Sequence, residues 1–194
     1  PADGRLTGPD SGPGRLPEPA DIHQTCLALL QPASGDLVGR RVLITAGGTR
    51  EPIDPVRFLG NRSSGRQGYA LAAAAARRGA EVTVVAANVA LPVPTGVTVV
   101  PVDYAAELAQ AVIDRAAKAD VVIMCAAVAD FRPVTRSDTK LKKDSAAEPE
   151  SIPLERTQDV LRALTDARPA DQVIVGFAAE TGDADADVLT HARA

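Results

Sequence analysis

The chain has 194 residues, 45% of them hydrophobic but only 3% aromatic and none of them tryptophan, and its formal net charge is −4. That suffices for one full domain whose core Ala and Val must largely fill, and it offers no basic face for a nucleic acid. No apolar stretch reaches the ~18 to 20 residues that span a bilayer, no signal-peptide pattern opens the chain, and two cysteines are too few for a disulfide framework, so a soluble protein of the reducing cytoplasm is expected.

Residues 1–38 read as a tail or linker, distinct in composition from the rest of the chain. Gly12-Pro-Gly-Arg-Leu-Pro-Glu-Pro19 is rich in turn formers, and only Ile22 to Leu30 predicts a short amphipathic helix. Such a segment cannot enclose a core and reads equally as a flexible linker or an ordered arm. From Gly39 onward the pattern is α/β. Apolar, β-branched runs at Val42–Thr45, Val82–Ala86, Val97–Val100, Val121–Cys125 and Val173–Gly176 predict strands. Arg66–Arg78, Ala105–Ala119 and Asp159–Ala167 predict helices, with Gly79 and Pro169 as stops. Strands apolar on both faces and alternating with helices imply a Rossmann-like, doubly wound, mostly parallel sheet with ligands at the carboxyl ends of its strands.

The loop from Arg41 to Gly68 carries the strongest chemical signal. A strand runs into Gly47 and Gly48, and Ser63, Ser64, Gly65 and Gly68 precede an Ala-rich helix. A helix N-terminus with glycines and hydroxyls around it suits a phosphate. It is not a P-loop, since Arg66 and Gln67 stand where Lys and Ser/Thr would reach the terminal phosphates and Mg²⁺. Nor is it the dinucleotide fingerprint, whose glycines directly follow the first strand.

Single residues leave alternatives open. Asn61 could donate to an oxyanion or serve as a turn residue, and Arg57 could grip a carboxylate or phosphate or lie solvated. Asp130, just past a buried strand, could orient Mg²⁺ or the nucleotide, or cap a turn. Lys140, Lys142 and Lys143 form a basic run that composition alone assigns to a solvated loop. Thr157 is a candidate helix N-cap, Phe177 follows a strand and could be core, and Cys125 reads as buried packing. Neither His23 nor His191 has a partner suggesting acid–base work.

Thr45-Ala-Gly-Gly-Thr-Arg-Glu-Pro-Ile-Asp-Pro-Val-Arg57, followed by Asn61-Arg-Ser-Ser-Gly65-Arg-Gln-Gly68, resembles phosphopantothenoylcysteine synthetase, the ligase half of bacterial bifunctional coenzyme A biosynthesis proteins. The resemblance continues through Ala126-Ala-Val-Ala-Asp130-Phe-Arg-Pro, Lys140-Leu-Lys-Lys143 and Gly176-Phe-Ala-Ala-Glu-Thr181. It implies that residues 39–194 are a CTP-dependent synthetase domain. In that reaction 4′-phosphopantothenate and CTP form an acyl-cytidylate and pyrophosphate, after which L-cysteine displaces CMP.

By the same resemblance Asn61 and Arg57 hold the acyl intermediate, and Lys140 binds polyphosphate from a flap that closes over the site. Gly47, Gly48, Ser63, Ser64 and Gly65 border the nucleotide. So do Ala127, Val128, Ala129, Asp130 and Phe131, whose backbone reads the base, and Asp130 is the candidate Mg²⁺ ligand. Asp159, Val160 and Phe177 complete the nucleotide contacts, although Thr157 and Gln158 depart from the family's usual residues.

A homodimer is implied, with a larger oligomer in the bifunctional parent. Residues 12–19 resemble the end of the preceding decarboxylase, whose FMN-binding body would lie upstream of Pro1. Where family clamps carry a cysteine, Thr7-Gly-Pro-Asp10 stands here, so decarboxylation is not credited to this chain. Family members continue past the last motif with a lysine-bearing helix, so the chain reads as truncated at its C-terminus. A non-catalytic nucleotide-binding fragment remains the alternative. A nicotinamide oxidoreductase is disfavoured, because Tyr69 and Tyr104 are followed four residues on by Ala73 and Leu108 rather than lysine.

Overall fold

The computed structural model describes residues 2–5, 11–17, 19–30, 35–142 and 151–179, with the single residues 181, 187 and 190. Regular structure forms within residues 1–38. Strands β1 (Ala2–Arg5) and β2 (Ser11–Arg15) pair antiparallel, and helix α1 spans Pro19–Leu30. That helix begins before Ile22 because proline suits a first helical turn, where its missing N–H is not needed.

The remaining elements are β3 (Arg41–Gly47), β4 (Arg50–Pro52), β5 (Phe58–Gly60), α2 (Arg66–Arg77), β6 (Glu81–Ala87), β7 (Val97–Val102), α3 (Ala105–Ala116), β8 (Val121–Met124), β9 (Phe131–Pro133), β10 (Leu154–Arg156), α4 (Val160–Asp166) and β11 (Val173–Gly176). Five strands form one sheet in the order β11-β8-β3-β6-β7, and every neighbouring pair is parallel. Parallel neighbours need crossovers: α2, α3 and α4 lie in those from β3 to β6, β7 to β8 and β8 to β11, while the helix-free segment 88–96 carries the chain from β6 to β7.

Alternation along β3 divides the core. Val42, Ile44 and Ala46 pack with Val82, Val84, Tyr69, Ala72 and Ala75 on the α2 side. Leu43 packs instead with Val85, Val122, Leu108, Val112 and Leu164 on the side of α3 and α4. Both faces are therefore apolar, as the unbroken Val/Ile/Leu runs require.

All five expected sheet strands form, and elsewhere the elements differ in detail, α3 among them, which ends at Ala116 rather than Ala119. The short antiparallel pairs β4–β5 and β9–β10 were not anticipated, being three residues long and interrupted by Pro52, Gly60 and Pro133. Helix α2 stops at Arg77 because Gly79, at φ +89°, lets Ala80 N–H reach back to Ala75 C=O at 3.1 Å. Helix α4 opens at Val160 with Asp159, not Thr157, as its N-cap: Asp159 Oδ1 accepts the Arg162 N–H at 2.9 Å.

Candidate functional site

The order of the sheet fixes where a ligand can lie. From the central strand β3 the chain crosses to β6 on one side, and from β8 it crosses to β11 on the other. The carboxyl ends of β3 and β8 therefore flank the topological switch point, where open α/β sheets form a crevice. The loop after β3 holds Gly47 to Gly65, and the loop after β8 holds Ala126 to Asp130.

Two buried threonines join these loops. Thr45 Oγ1 accepts the N–H groups of both Cys125 and Ala126 at 2.9 Å. Thr49 Oγ1 accepts Ala129 N–H at 2.9 Å, and its own N–H donates to Ala127 C=O at 3.2 Å. Ala127 N–H donates to Gly47 C=O at 2.8 Å, and Asn61 Nδ2 donates to Val128 C=O at 3.0 Å. Thr157 closes the far side, its hydroxyl donating to Ala129 C=O at 2.6 Å and its N–H to Asp130 C=O at 2.9 Å. Much of the 127–130 backbone is thus engaged in holding the loop's shape.

The glycines make the close approach possible. Gly65, at φ +78°, is the N-cap of α2, and a Cβ there would meet Val89 Cγ2 at 2.6 Å and the nitrogen of Gly47 at 3.3 Å. No side chain caps α2, and only a long 3.5 Å contact joins Arg66 N–H to Ser64 Oγ. The first turn of the helix is open to an anion. Gly48 N–H is already bonded to Ala87 C=O at 3.0 Å, so that glycine shapes the crevice. Ser63 is half-buried and Ser64 exposed.

Several supporting residues had not been singled out in the sequence. Glu51 is buried, and its Oε1 accepts the N–H of Ala105 at the start of α3 at 2.8 Å. Asn88, at φ +53°, donates through Nδ2 to Gly48 C=O at 3.1 Å and Asp103 C=O at 2.8 Å. A polar residue inside or next to an apolar run, as at Thr45, Thr49 and Asn88, was the available signal.

Arg57 is brought to the site's rim by an ion pair. Its Nε and Nη2 lie 2.9 and 2.5 Å from Asp54 Oδ2, and Nη2 also donates to Leu141 C=O at 2.9 Å. The guanidinium, helped by the N–H groups of Val56, Arg57 and Leu141, holds the Asp54 carboxyl well below the usual carboxylate range. Asp54 and Arg57 line a cleft of about 280 Å³ together with Arg50, Asn88, Tyr104 and Arg136. A larger cavity of about 560 Å³ lies among Arg41, Glu81, Asp114, Arg115 and Lys118, at the opposite ends of the strands from the motif loops.

Lys140 is exposed beside the anchored Leu141, while Lys143 falls outside the described residues. Asp130 is exposed, and no contact engages its carboxylate among the described residues. Phe131 lies in β9, opposite Arg156 of β10, and is 44% exposed. Asp159 caps α4, and Val160 is buried in the α3–α4 core. Phe177 is not core: it is 50% exposed, its N–H extending the β11–β8 pairing to Met124 C=O at 3.1 Å. Cys125 lies just past β8 and is half-buried, and burial pushes its thiol pKa up. His23 is exposed on α1, and His191 falls outside the described residues.

Among the described residues no three His, Cys, Asp or Glu side chains gather as a metal centre. No described helix is long and apolar enough to cross a membrane.

Residues 37–194 match the family described as DNA/pantothenate metabolism flavoprotein C-terminal domain. The coenzyme A biosynthesis bifunctional protein CoaBC of Mycolicibacterium smegmatis is 55% identical over an alignment covering 100% of this chain and 49% of that protein. The chain thus spans about half the length of the curated relatives it matches. A crystal structure of the C-terminal domain of a CoaBC protein superposes with a TM-score of 0.66 at 46% identity, covering 77% of this chain and 69% of the other. A Cab2 mutant solved with phosphopantothenate-cysteine shares the fold at a TM-score of 0.62 and 18% identity, covering 87% of this chain and 73% of the other. The chain belongs to the family of DNA/pantothenate metabolism flavoprotein C-terminal domains.

Proposed function

We propose that the chain carries the ligase chemistry joining 4′-phosphopantothenate to L-cysteine at the expense of CTP. The observation that supports this most directly is the bond from Asn61 Nδ2 to Val128 C=O. It brings the residue assigned to the acyl intermediate against the loop assigned to the nucleotide.

The reaction has two steps. The substrate carboxylate attacks the α-phosphorus of CTP, and pyrophosphate leaves. The amine of cysteine then attacks the acyl carbon and loses a proton as CMP departs and the amide forms. The first step brings anions together and needs cations, while the second develops an oxyanion and needs fixed donors.

On this reading Lys140 meets the phosphates with a long, mobile ammonium. Arg57 offers Nη1, which has no hydrogen bond among the described residues, to the intermediate. Asn61 is oriented by Val128 toward the acyl group. The open first turn of α2, with Ser63 and Ser64 beside it, receives a phosphate.

Mg²⁺ fits Asp130, whose exposed carboxylate is unengaged among the described residues. One carboxylate suffices for an ion that takes most of its ligands from phosphates and water. When bound, Mg²⁺ would offset nucleotide charge. We also assign the reaction to a homodimer in the cytoplasm, where the two free cysteines stay reduced, and FMN to the separate decarboxylase half.

Pyrophosphate release from CTP and Mg²⁺ tests this reading, with 4′-phosphopantothenate present or absent, on this chain and on the complete protein. Release that requires 4′-phosphopantothenate, with CMP and amide appearing only after cysteine is added, is the expected result. No release from the complete protein would overturn the assignment.

A further inference from the structure

Asp54 lies in the turn between β4 and β5 with its side chain fully shielded from solvent. Five donors converge on it. Oδ1 accepts the N–H groups of Val56 and Arg57 at 2.8 Å each. Oδ2 accepts Arg57 Nε at 2.9 Å, Arg57 Nη2 at 2.5 Å and the N–H of Leu141 at 3.2 Å.

Leu141 is therefore held by both of its backbone groups, its N–H by the acid and its C=O by the base of one ion pair. A second tie lies four residues earlier, where Ser137 N–H donates to Ile53 C=O at 3.0 Å. The 53–57 turn thus grips the 137–141 segment at both ends, and Lys140 sits inside the gripped stretch.

A shielded carboxylate with this many donors is a strong anchor, since charge-assisted bonds strengthen away from water and losing one partner orphans the other. A lysine side chain alone has great rotameric freedom. Fixing the neighbouring backbone limits the region its ammonium can sample.

We propose that Asp54 is a positioning residue: with Arg57 it clamps Leu141 by both backbone groups and thereby sets where Lys140 meets the substrate phosphates. The inference rests on the phosphate-binding role given to Lys140 above.

The test compares wild type, Asp54→Asn, Arg57→Lys, Lys140→Ala and the Asp54→Asn/Lys140→Ala double variant in the complete protein. Hydrogen exchange at the Leu141 amide needs no substrate, and Asp54→Asn should raise it about tenfold or more as the local bond opens. The same variant should lower kcat/KM for CTP about 30-fold, and by clearly less once Lys140 is already Ala, the remainder being what the loosened Arg57 loses. Arg57→Lys keeps the charge but loses the fork, at a half-exposed side chain, and should raise Leu141 exchange even if Asp54→Asn does not fold.

Unchanged Leu141 exchange in the folded variants would overturn the clamp, whatever the activity. An equal Asp54→Asn penalty with and without Lys140 would overturn the action through Lys140 and leave the ligase reading standing. Full activity of Lys140→Ala, or no pyrophosphate release by wild type, would bring down the parent reading and the proposal with it, and the exchange data would still report the clamp separately.

Discussion

The buried hydroxyl of Thr49 lies 2.9 Å from the backbone nitrogen of Ala129, one of several bonds that join the loop after β3 to the loop after β8. Valine has nearly the same shape without the acceptor. Thr49→Val should therefore leave a buried N–H unpaired and cost about 1–3 kcal/mol. Urea unfolding measures the loss, and an unchanged midpoint would show that another acceptor takes over.

Gly65 is held at φ +78° with Val89 where a side chain would go. Gly65→Ala combines backbone strain with a steric clash, and about 1–3 kcal/mol of destabilisation is expected. Affinity for CTP should also fall, because the opening turn of α2 must shift. Thermal unfolding and equilibrium nucleotide titration read the two effects separately.

Asn61→Asp keeps the side chain's size but replaces the donor facing Val128 C=O with an acceptor. If Asn61 holds the acyl intermediate, ligation should drop by about 10²-fold or more. Stability should change little, since the residue is exposed. Stopped-flow measurement of the two half-reactions would show where the loss falls, and wild-type rates in both would remove the assigned role.

Asp159→Ala removes the cap on α4 and should cost about 1 kcal/mol in unfolding free energy. An accompanying rise in KM for CTP would add a nucleotide contact to the capping role. An unchanged KM would leave Asp159 with the helix alone.

The pH dependence of Asp54 has a definite sign. Its folded pKa is depressed, chiefly by Arg57, so the stability it contributes is present above the unfolded carboxylate value of about 3.9. That contribution is lost as pH falls toward the folded value. The stability gap between wild type and Asp54→Asn should therefore stay constant from pH 7 to about 5 and narrow below about 4. A gap that widened on acidification would contradict the ion pair.

The five sheet strands were legible because each carries a run of β-branched residues, buried on both faces in β3 and partly exposed at the sheet edges, as at Val173 of β11. Periodicity carries no comparable signal for β4 or β9, where three residues pair around a proline. Thr157 shows a second kind of limit. Its hydroxyl could cap a helix locally, but its bond runs to Ala129, 28 residues earlier, and only the folded chain reveals that choice. The loops that carry Gly47, Asn61 and Asp130 were readable as motifs, and the fold brings them to one crevice. The side chains that lock them, Thr45, Thr49 and Glu51, act through partners distant in sequence, as Asp54 does toward Leu141, and such pairings leave no local pattern.

The joint made by Thr45 and Thr49 spans 80 residues of chain in two of its three hydroxyl contacts and 81 in the third. Such contacts form only after a large loop has closed, and its entropic cost must be met by the packing of β8 beside β3. The crevice thus has no independent existence as a peptide. Any fragment that stops short of Ala129 forfeits it, and a denaturant titration should lose the crevice and the parallel sheet in one shared transition.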